Sequence, residues 1–263
     1  MIRCRECDHR YTDPLPTDGE LAAMYDSQYF SDEGAWVCGY WKGSYIENEA
    51  KLRAEAREAL PHIGRSSGRL LEIGPAGGFF LDEARRVGFD VTGIELNAEM
   101  AEWGRANLGL DIMCGMFEDA PVEPCSFDVV VAQDVLEHVR DPRAFVRRAA
   151  SLLRPGGIFF VRGPLEQSSR DAFYLAVREY AKRGPLVRQE PPYHLQGFVR
   201  KSFDMAVSQA GLRMAAFHAQ PLRPTWKYSA AKDVLASVIE NIAYGADVLR
   251  GGGDFMTARM VKA

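Results

Sequence analysis

The sequence holds 263 residues, 47% of them apolar and 26% charged, with 32 Lys and Arg against 36 Asp and Glu for a formal charge of −4. That length suits one large α/β domain with an appendage, and the mild acidity excludes the clustered positive charge that general nucleic-acid affinity requires. No apolar run approaches the roughly 20 residues that cross a bilayer. The start, Met1–Arg10, lacks the apolar core of a secretory signal, and five cysteines (Cys4, Cys7, Cys38, Cys114, Cys125) imply no disulfide framework. The expectation is a cytoplasmic protein with free thiols.

Residues 1–45 are rich in Asp, Gly, Pro and aromatics (Tyr25, Tyr29, Phe30, Trp36, Tyr40, Trp41), with one short helix expected near 19–27. A helix follows over 44–61, where Pro61 marks the stop. Arg69–Ile73 is a short apolar run that reads as a buried strand. Phe80, Ala84 and Val87 then recur at helical spacing up to Gly88. A strand over 90–95, a helix over 98–108 and a short strand at 111–113 come next. Phe127–Ala132 is the most strand-like stretch. Asp141-Pro142 supplies an N-cap and a first-turn proline for a helix carrying Phe145, Ala149, Leu152 and Leu153. Pro155-Gly156-Gly157 turns the chain into a strand over 158–162. A helix at about 170–182, an irregular stretch to 198, a helix from Phe203 to Ala210 and a strand over 212–218 follow. The long helix over 227–249 lines up Ala231, Val234, Leu235, Val238, Ile239, Ile242, Ala246 and Leu249. Lys232, Asp233, Glu240 and Asn241 interrupt it, so it reads as core or dimer contact, not as a membrane helix. Gly251–Gly253 leads into a last strand over 255–261. Strand and helix alternate with short connections, which argues a doubly wound, Rossmann-like α/β sheet.

The turn Glu72-Ile-Gly-Pro-Ala-Gly-Gly-Phe79 carries the most information. A strand turning sharply into a helix presents backbone amides to a ligand, and small residues let it approach closely. A dinucleotide fingerprint needs glycines at relative positions 0, 2 and 5; here those are Gly74, Ala76 and Phe79. Positions 0, 2 and 4 are Gly74, Ala76 and Gly78, with acidic Glu72 two residues before the first glycine. Ala76 in the middle place requires a backbone that avoids positive φ there.

This stretch resembles the first motif of the class I S-adenosylmethionine (SAM)-dependent methyltransferases, and the likeness extends through residues 69–164. Ile94-Glu95, Phe127 to Val139 and Leu152 to Val161 resemble that family's second strand, fourth strand and fifth strand with its turn. The resemblance implies a seven-stranded sheet of order 3-2-1-4-5-7-6 with the last strand antiparallel. It implies SAM as cofactor and S-adenosylhomocysteine as product. Glu72, Gly74, Pro75, Ala76, Gly78, Glu95, Leu96, Met116, Phe117, Gln133 and His138 would line the cofactor site, with Glu95 on the ribose, Met116 or Phe117 against the adenine face and His138 under the cofactor. The family's acid after Gly115 is replaced by Met116-Phe117.

Methyl transfer to oxygen or nitrogen needs a proton removed, and histidine titrates in the useful range. His9, His62 and His218 read as surface or packing residues. His138 reads as a structural histidine under the cofactor, with a base as the alternative. His194, in Pro191-Pro-Tyr-His-Leu-Gln-Gly-Phe198, resembles the histidine-bearing segment of ubiquinone O-methyltransferase-like relatives and is the first candidate base. Arg183, Arg188, Arg200 and Lys201 read as a solvated basic face, with contact to an anionic substrate as the alternative. Cys4-Arg-Glu-Cys7 has the pair spacing of a zinc ribbon. Its surroundings resemble the prelude of methyltransferases associated with polysaccharide and sugar biosynthesis. Only one pair is present and His9 or Cys38 would have to complete it, so zinc is not expected and no metal site is assigned.

The organisation expected is an extension or lid (1–45) and a SAM-dependent domain (46–263) with a substrate-side insertion at 165–198. The function expected is methylation of a small-molecule acceptor, most plausibly an oxygen of a sugar, quinone or secondary metabolite, by a monomer or homodimer with no nucleic-acid or membrane partner. A non-catalytic SAM-binding scaffold and an NAD(P)-dependent oxidoreductase are the alternatives.

Overall fold

The structure, a computed structural model, describes residues 2–17, 19–21, 42–167, 194–221 and 231–263. Its main sheet contains β3 (Gly68–Ile73), β4 (Phe89–Glu95), β5 (Ile112–Cys114), β6 (Phe127–Gln133), β7 (Leu153–Pro164), β9 (Leu212–Gln220) and β10 (Phe255–Lys262), in the order β5-β4-β3-β6-β7-β10-β9. The strands from β5 to β7 pair in parallel, and β10 runs antiparallel to both neighbours. This is the order and polarity expected from the family resemblance.

Alternation along each strand builds a core on both faces. From β6, Val130 and Ala132 join Phe145, Phe159 and Phe203 on one side, while Val129 and Val131 join Ile63, Leu70 and Phe160 on the other. Helices α2 (Glu49–Ile63), α3 (Phe79–Val87), α4 (Ala98–Leu108), α5 (Pro142–Leu152) and α6 (Arg200–Gln209) cover these faces, after a short α1 (Lys42–Glu47). The N-caps follow the sequence: Asn97 accepts from Met100 N, and Asp141 accepts from the amides of Arg143 and Ala144. Arg53 is buried and ties α2 to α3, reaching Asp82 at 2.7 Å and Glu83 at 2.8 Å.

Four local expectations change. The helix expected over 44–61 is two helices, broken at Asn48. Pro61 does not stop the second; the helix runs on to bury Ile63 completely and ends at Gly64, which takes the left-handed conformation. The Pro155-Gly156-Gly157 turn lies within β7 as a register irregularity against β6. On the last helix, α7 (Ala231–Arg250), Val238, Ile242 and Leu249 of the predicted apolar stripe are exposed, and over positions 238–250 the buried ones are Ala243 and Asp247. No helix among the described residues is long and apolar enough to cross a membrane. The aromatic lid of 25–41, Cys38, the helix at 170–182, Arg183 and Arg188 lie outside the described residues.

A second, small sheet joins the N-terminus to the domain. Strands β1 (Ile2–Arg3) and β2 (Arg10–Tyr11) form a hairpin, and β2 pairs antiparallel with β8 (Gln196–Gly197). The Cys4-x-x-Cys7 pair sits at the hairpin turn. His9 is a packing residue: its ring nitrogens lie 3.3 Å from Ser202 Oγ and 2.9 Å from Gln196 Oε1, and its ring meets Phe198 edge-on. Both ring nitrogens are thus engaged by side chains from β8 and α6.

Candidate active site

A crevice of about 1430 Å³ opens at the C-terminal ends of β3, β4, β6 and β7, lined on one side by Gly74, Pro75, Ala76, Glu95, Leu96 and Met116 and on the other by Gln133, Glu137, His138, Arg162, His194 and Phe255. In open α/β sheets this edge, at the switch of strand order, is where ligands bind.

The turn after β3 coils through left-handed residues: Gly74 at φ 70°, Ala76 at φ 49° and Gly78 at φ 89°. The expectation that Ala76 avoids positive φ is therefore wrong. A non-glycine residue there carries a strain on the order of 1 kcal/mol, and Glu95 offsets it. Its Oε2 accepts the Ala76 amide at 2.8 Å, while Oε1 accepts the Asn97 amide at 2.8 Å. Each carboxylate oxygen can accept a further bond, so Glu95 can still take a ligand's hydroxyls from the crevice side. Burial raises its pKa above the ordinary carboxylate value, against the amide bonds that favour the charge.

Glu72, only 3% exposed, accepts from Gln133 Nε2 at 3.0 Å through Oε1; its Oε2 has no partner among the described residues. Burial pushes its carboxyl up to about 8. Tyr45 was missed by the sequence reading. It stacks on Phe79 at 4.7 Å, accepts the Phe79 amide at 3.3 Å and closes the floor beneath Gly77, where a Cβ would strike its ring and Trp103 at 2.7 Å.

Met116 and Phe117 both border the crevice, Met116 39% exposed and Phe117 buried, its ring also packed against Phe145 at 4.8 Å with the Arg148 guanidinium over it. Gln133 and His138 also line the crevice.

The opposite wall gathers residues distant in sequence. Leu195 and Gln196 both donate their amides to Glu137 O (2.7 and 3.0 Å), and the Gln196 side chain donates to Val139 O and Arg140 O. Thr12 N donates to Leu195 O, so the N-terminal hairpin backs this knot. The knot sets the His194 ring 4.8 Å from His138, nearly perpendicular to it. Donor atoms of Glu137, His138 and His194 all lie within 4.8 Å of one another, a spacing at which the three could share one cation. Burial holds His194 below the ordinary histidine range, and its Nδ1 is buried with no partner among the described residues. Glu137 is held well above the carboxylate range by burial and by Asp134; Asp134 itself is raised to about 6, chiefly because the crevice walls desolvate it, with Arg162 pulling the other way. Arg200 and Lys201 are away from the crevice: Arg200 pairs with Asp204 and covers the Phe217 ring, and Lys201 donates to Glu6 O.

Comparison with known proteins agrees with this geometry. Residues 45–216 match the family model described as a methyltransferase domain. The ubiquinone biosynthesis O-methyltransferase of Xanthomonas campestris pv. campestris (strain B100) is 36% identical over 155 residues, which cover 56% of this chain and 61% of that relative. The enzyme of the same description from Paramagnetospirillum magneticum is 30% identical over 214 residues, covering 74% and 84%. The chain thus spans about three fifths of the length of the first of these relatives. Among solved structures, a SAM-dependent methyltransferase from Archaeoglobus fulgidus superposes with a TM-score of 0.57 at 16% identity, covering 81% of this chain and 94% of that one. The geranyl diphosphate C-methyltransferase of Streptomyces coelicolor A3(2), solved with Mg2+, geranyl-S-thiolodiphosphate and S-adenosylhomocysteine, superposes at 0.54 and 14% identity, covering 80% and 76%.

Proposed function

The chain belongs to the class I SAM-dependent methyltransferases, and from that premise we propose that it methylates an oxygen of a small-molecule acceptor by in-line displacement. The observation that carries this reading is Glu95: a buried carboxylate at the tip of β4, bonded to the turn after β3 and open to the crevice. Bound SAM supplies an electrophilic methyl on a sulfonium; the chain's part is to bind, align and exclude water. Glu95 would take the ribose hydroxyls, the Gly74–Gly78 turn the methionine part, and Met116 the adenine face. The ubiquinone O-methyltransferase relatives favour a hydroxylated ring among the acceptors, ahead of a sugar.

On the acceptor side, His194 would accept the hydroxyl proton. Its neutral imidazole, kept so by burial, and its unpartnered Nδ1 suit a base. The Glu137–His138–His194 grouping supports a second reading, in which those three hold a divalent cation that lowers the hydroxyl's pKa. A hard–borderline N/O donor set and an orphaned ring nitrogen fit that ion. Removal of metal by a chelator separates the two. Under the cation reading turnover falls and Mg2+ or Zn2+ restores it, while S-adenosylhomocysteine binding is unchanged. Turnover indifferent to the chelator leaves His194 as base.

Titration of the protein with SAM, S-adenosylhomocysteine and NAD tests the main reading. The first two should bind and NAD should not; tight NAD binding with no SAM binding would overturn it. SAM binding with no turnover over a broad acceptor panel favours a non-catalytic scaffold.

A further inference from the structure

We propose that Arg162 is the specificity residue of the acceptor pocket, its guanidinium holding a carboxylate borne by the acceptor. This rests on the crevice being the methyl-transfer site. Arg162 lies near the end of β7, opposite Gln133 on β6 and Thr257 on β10. Strand alternation puts its side chain on the same face as Pro164 and Phe255, and all three line the crevice. The neighbouring Gly163 points the other way, where a Cβ would lie 3.5 Å from Glu137 Oε2. Arg162 and Glu137 therefore lie against opposite faces of one strand end, on the same wall of the crevice.

In its partners Arg162 differs from several other arginines among the described residues. Arg53 reaches three carboxylates, Arg154 holds Asp128 at 2.9 Å, Arg10 pairs with Glu166, and Arg148 donates to two carbonyls. Arg162 has one long contact, Nη1 to Gln133 Oε1 at 3.4 Å, and lies over the Phe255 ring at 5.5 Å. Among the described residues no carboxylate comes within the 4.0 Å of an ion pair. Asp134 feels the Arg162 charge only at longer range. A guanidinium has five N–H donors in a planar fork that matches a carboxylate, and one half-buried against an aromatic ring has lost much of its water. A planar anion entering beside Phe255 and Pro164 would satisfy those donors and orient the acceptor toward the opposite wall. The carboxylate of the methionine part is the other possible source. However, the Gly74–Gly78 turn follows β3, and β6 stands between β3 and β7, a lateral separation of roughly 10 Å. That distance favours the acceptor.

The test uses the whole chain saturated with S-adenosylhomocysteine, titrated with 3,4-dihydroxybenzoate and with its neutral isostere 3,4-dihydroxybenzamide. The acid should bind the wild type at least tenfold more tightly than the amide. Arg162→Gln should abolish that preference and Arg162→Lys retain part of it, with S-adenosylhomocysteine affinity within twofold in all three proteins, which also certifies their folding. Equal affinity for acid and amide, binding of neither, or a preference that survives Arg162→Gln overturns the proposal. So does a tenfold loss of S-adenosylhomocysteine affinity in Arg162→Gln, which would assign the arginine to the cofactor's carboxylate. Failure of the wild type to bind S-adenosylhomocysteine would instead overturn the methyltransferase reading itself.

Discussion

The two walls of the crevice are assembled in different ways. Glu72, the Gly74–Gly78 turn and Glu95 come from two adjacent strands and the segment joining them, and Glu95 is bonded to the turn it faces. Glu137, His138, Arg162, His194 and Phe255 come from four separate stretches, held by backbone bonds between residues about sixty positions apart and buttressed by a hairpin from the N-terminus. The first wall is a local motif that any chain with those residues in that order can form. The second exists only once the whole fold has closed, so its residues can be exchanged piece by piece without loss of the sheet. Cofactor binding and acceptor choice should therefore separate under mutation.

The largest effect should come from Glu95→Ala. It strips two buried amides of their acceptor and releases the strained turn at Ala76, so SAM affinity should fall by about 2–4 kcal/mol in a calorimetric titration. A loss of less than threefold would mean that the turn holds its shape unaided. Glu72→Gln probes the same wall through pH. Its carboxyl is raised to about 8 in the folded protein by burial. The unfolded chain therefore gives up this proton first, and the native state loses stability as pH rises from the ordinary carboxylate range toward 8. Gln removes that penalty: denaturant melts should show the variant more stable by about 2 kcal/mol at pH 7 than at pH 5, relative to wild type. A difference that does not change with pH would contradict the buried, uncharged Glu72.

On the other wall, Gln196→Leu removes the ties to Val139, Arg140 and His9. Acceptor turnover should fall about tenfold, on the order of 1–2 kcal/mol, while SAM affinity stays fixed; equal losses in both would show the walls to be coupled. The smallest effect belongs to Met116→Ala, a few-fold loss in SAM affinity for about 0.5–1 kcal/mol of lost contact at a half-open edge.

The strands and the first wall were legible because their signals are local, whereas the strand order came only with the family resemblance. Apolar runs ending in Gly74 or Glu95, and a proline after Asp141, each specify structure within a few residues. Ala76 was misread because the sequence shows the missing glycine but not the distant carboxylate that stabilises its left-handed turn. Pro61 was misread because the burial of Ile63 two residues later outweighs a missing amide. The second wall was only partly visible. His194 and His138 stand out through the family resemblance, and the acids Asp134 and Glu137 beside His138 after the most apolar strand are a further signal. Arg162 gave none: a single arginine at a strand end acquires meaning only when the surrounding carboxylates are seen to stop short of it.

The pairing of Arg10–Tyr11 with Gln196–Gly197 has a consequence for synthesis. The Arg10–Tyr11 strand has no place to dock until residue 197 has been made, so the nascent chain carries a naked hairpin edge while the intervening residues are translated. That hairpin is thus made well before the edge it settles against, and a substitution that distorts Gly197 would interfere with this late step more than with the main sheet.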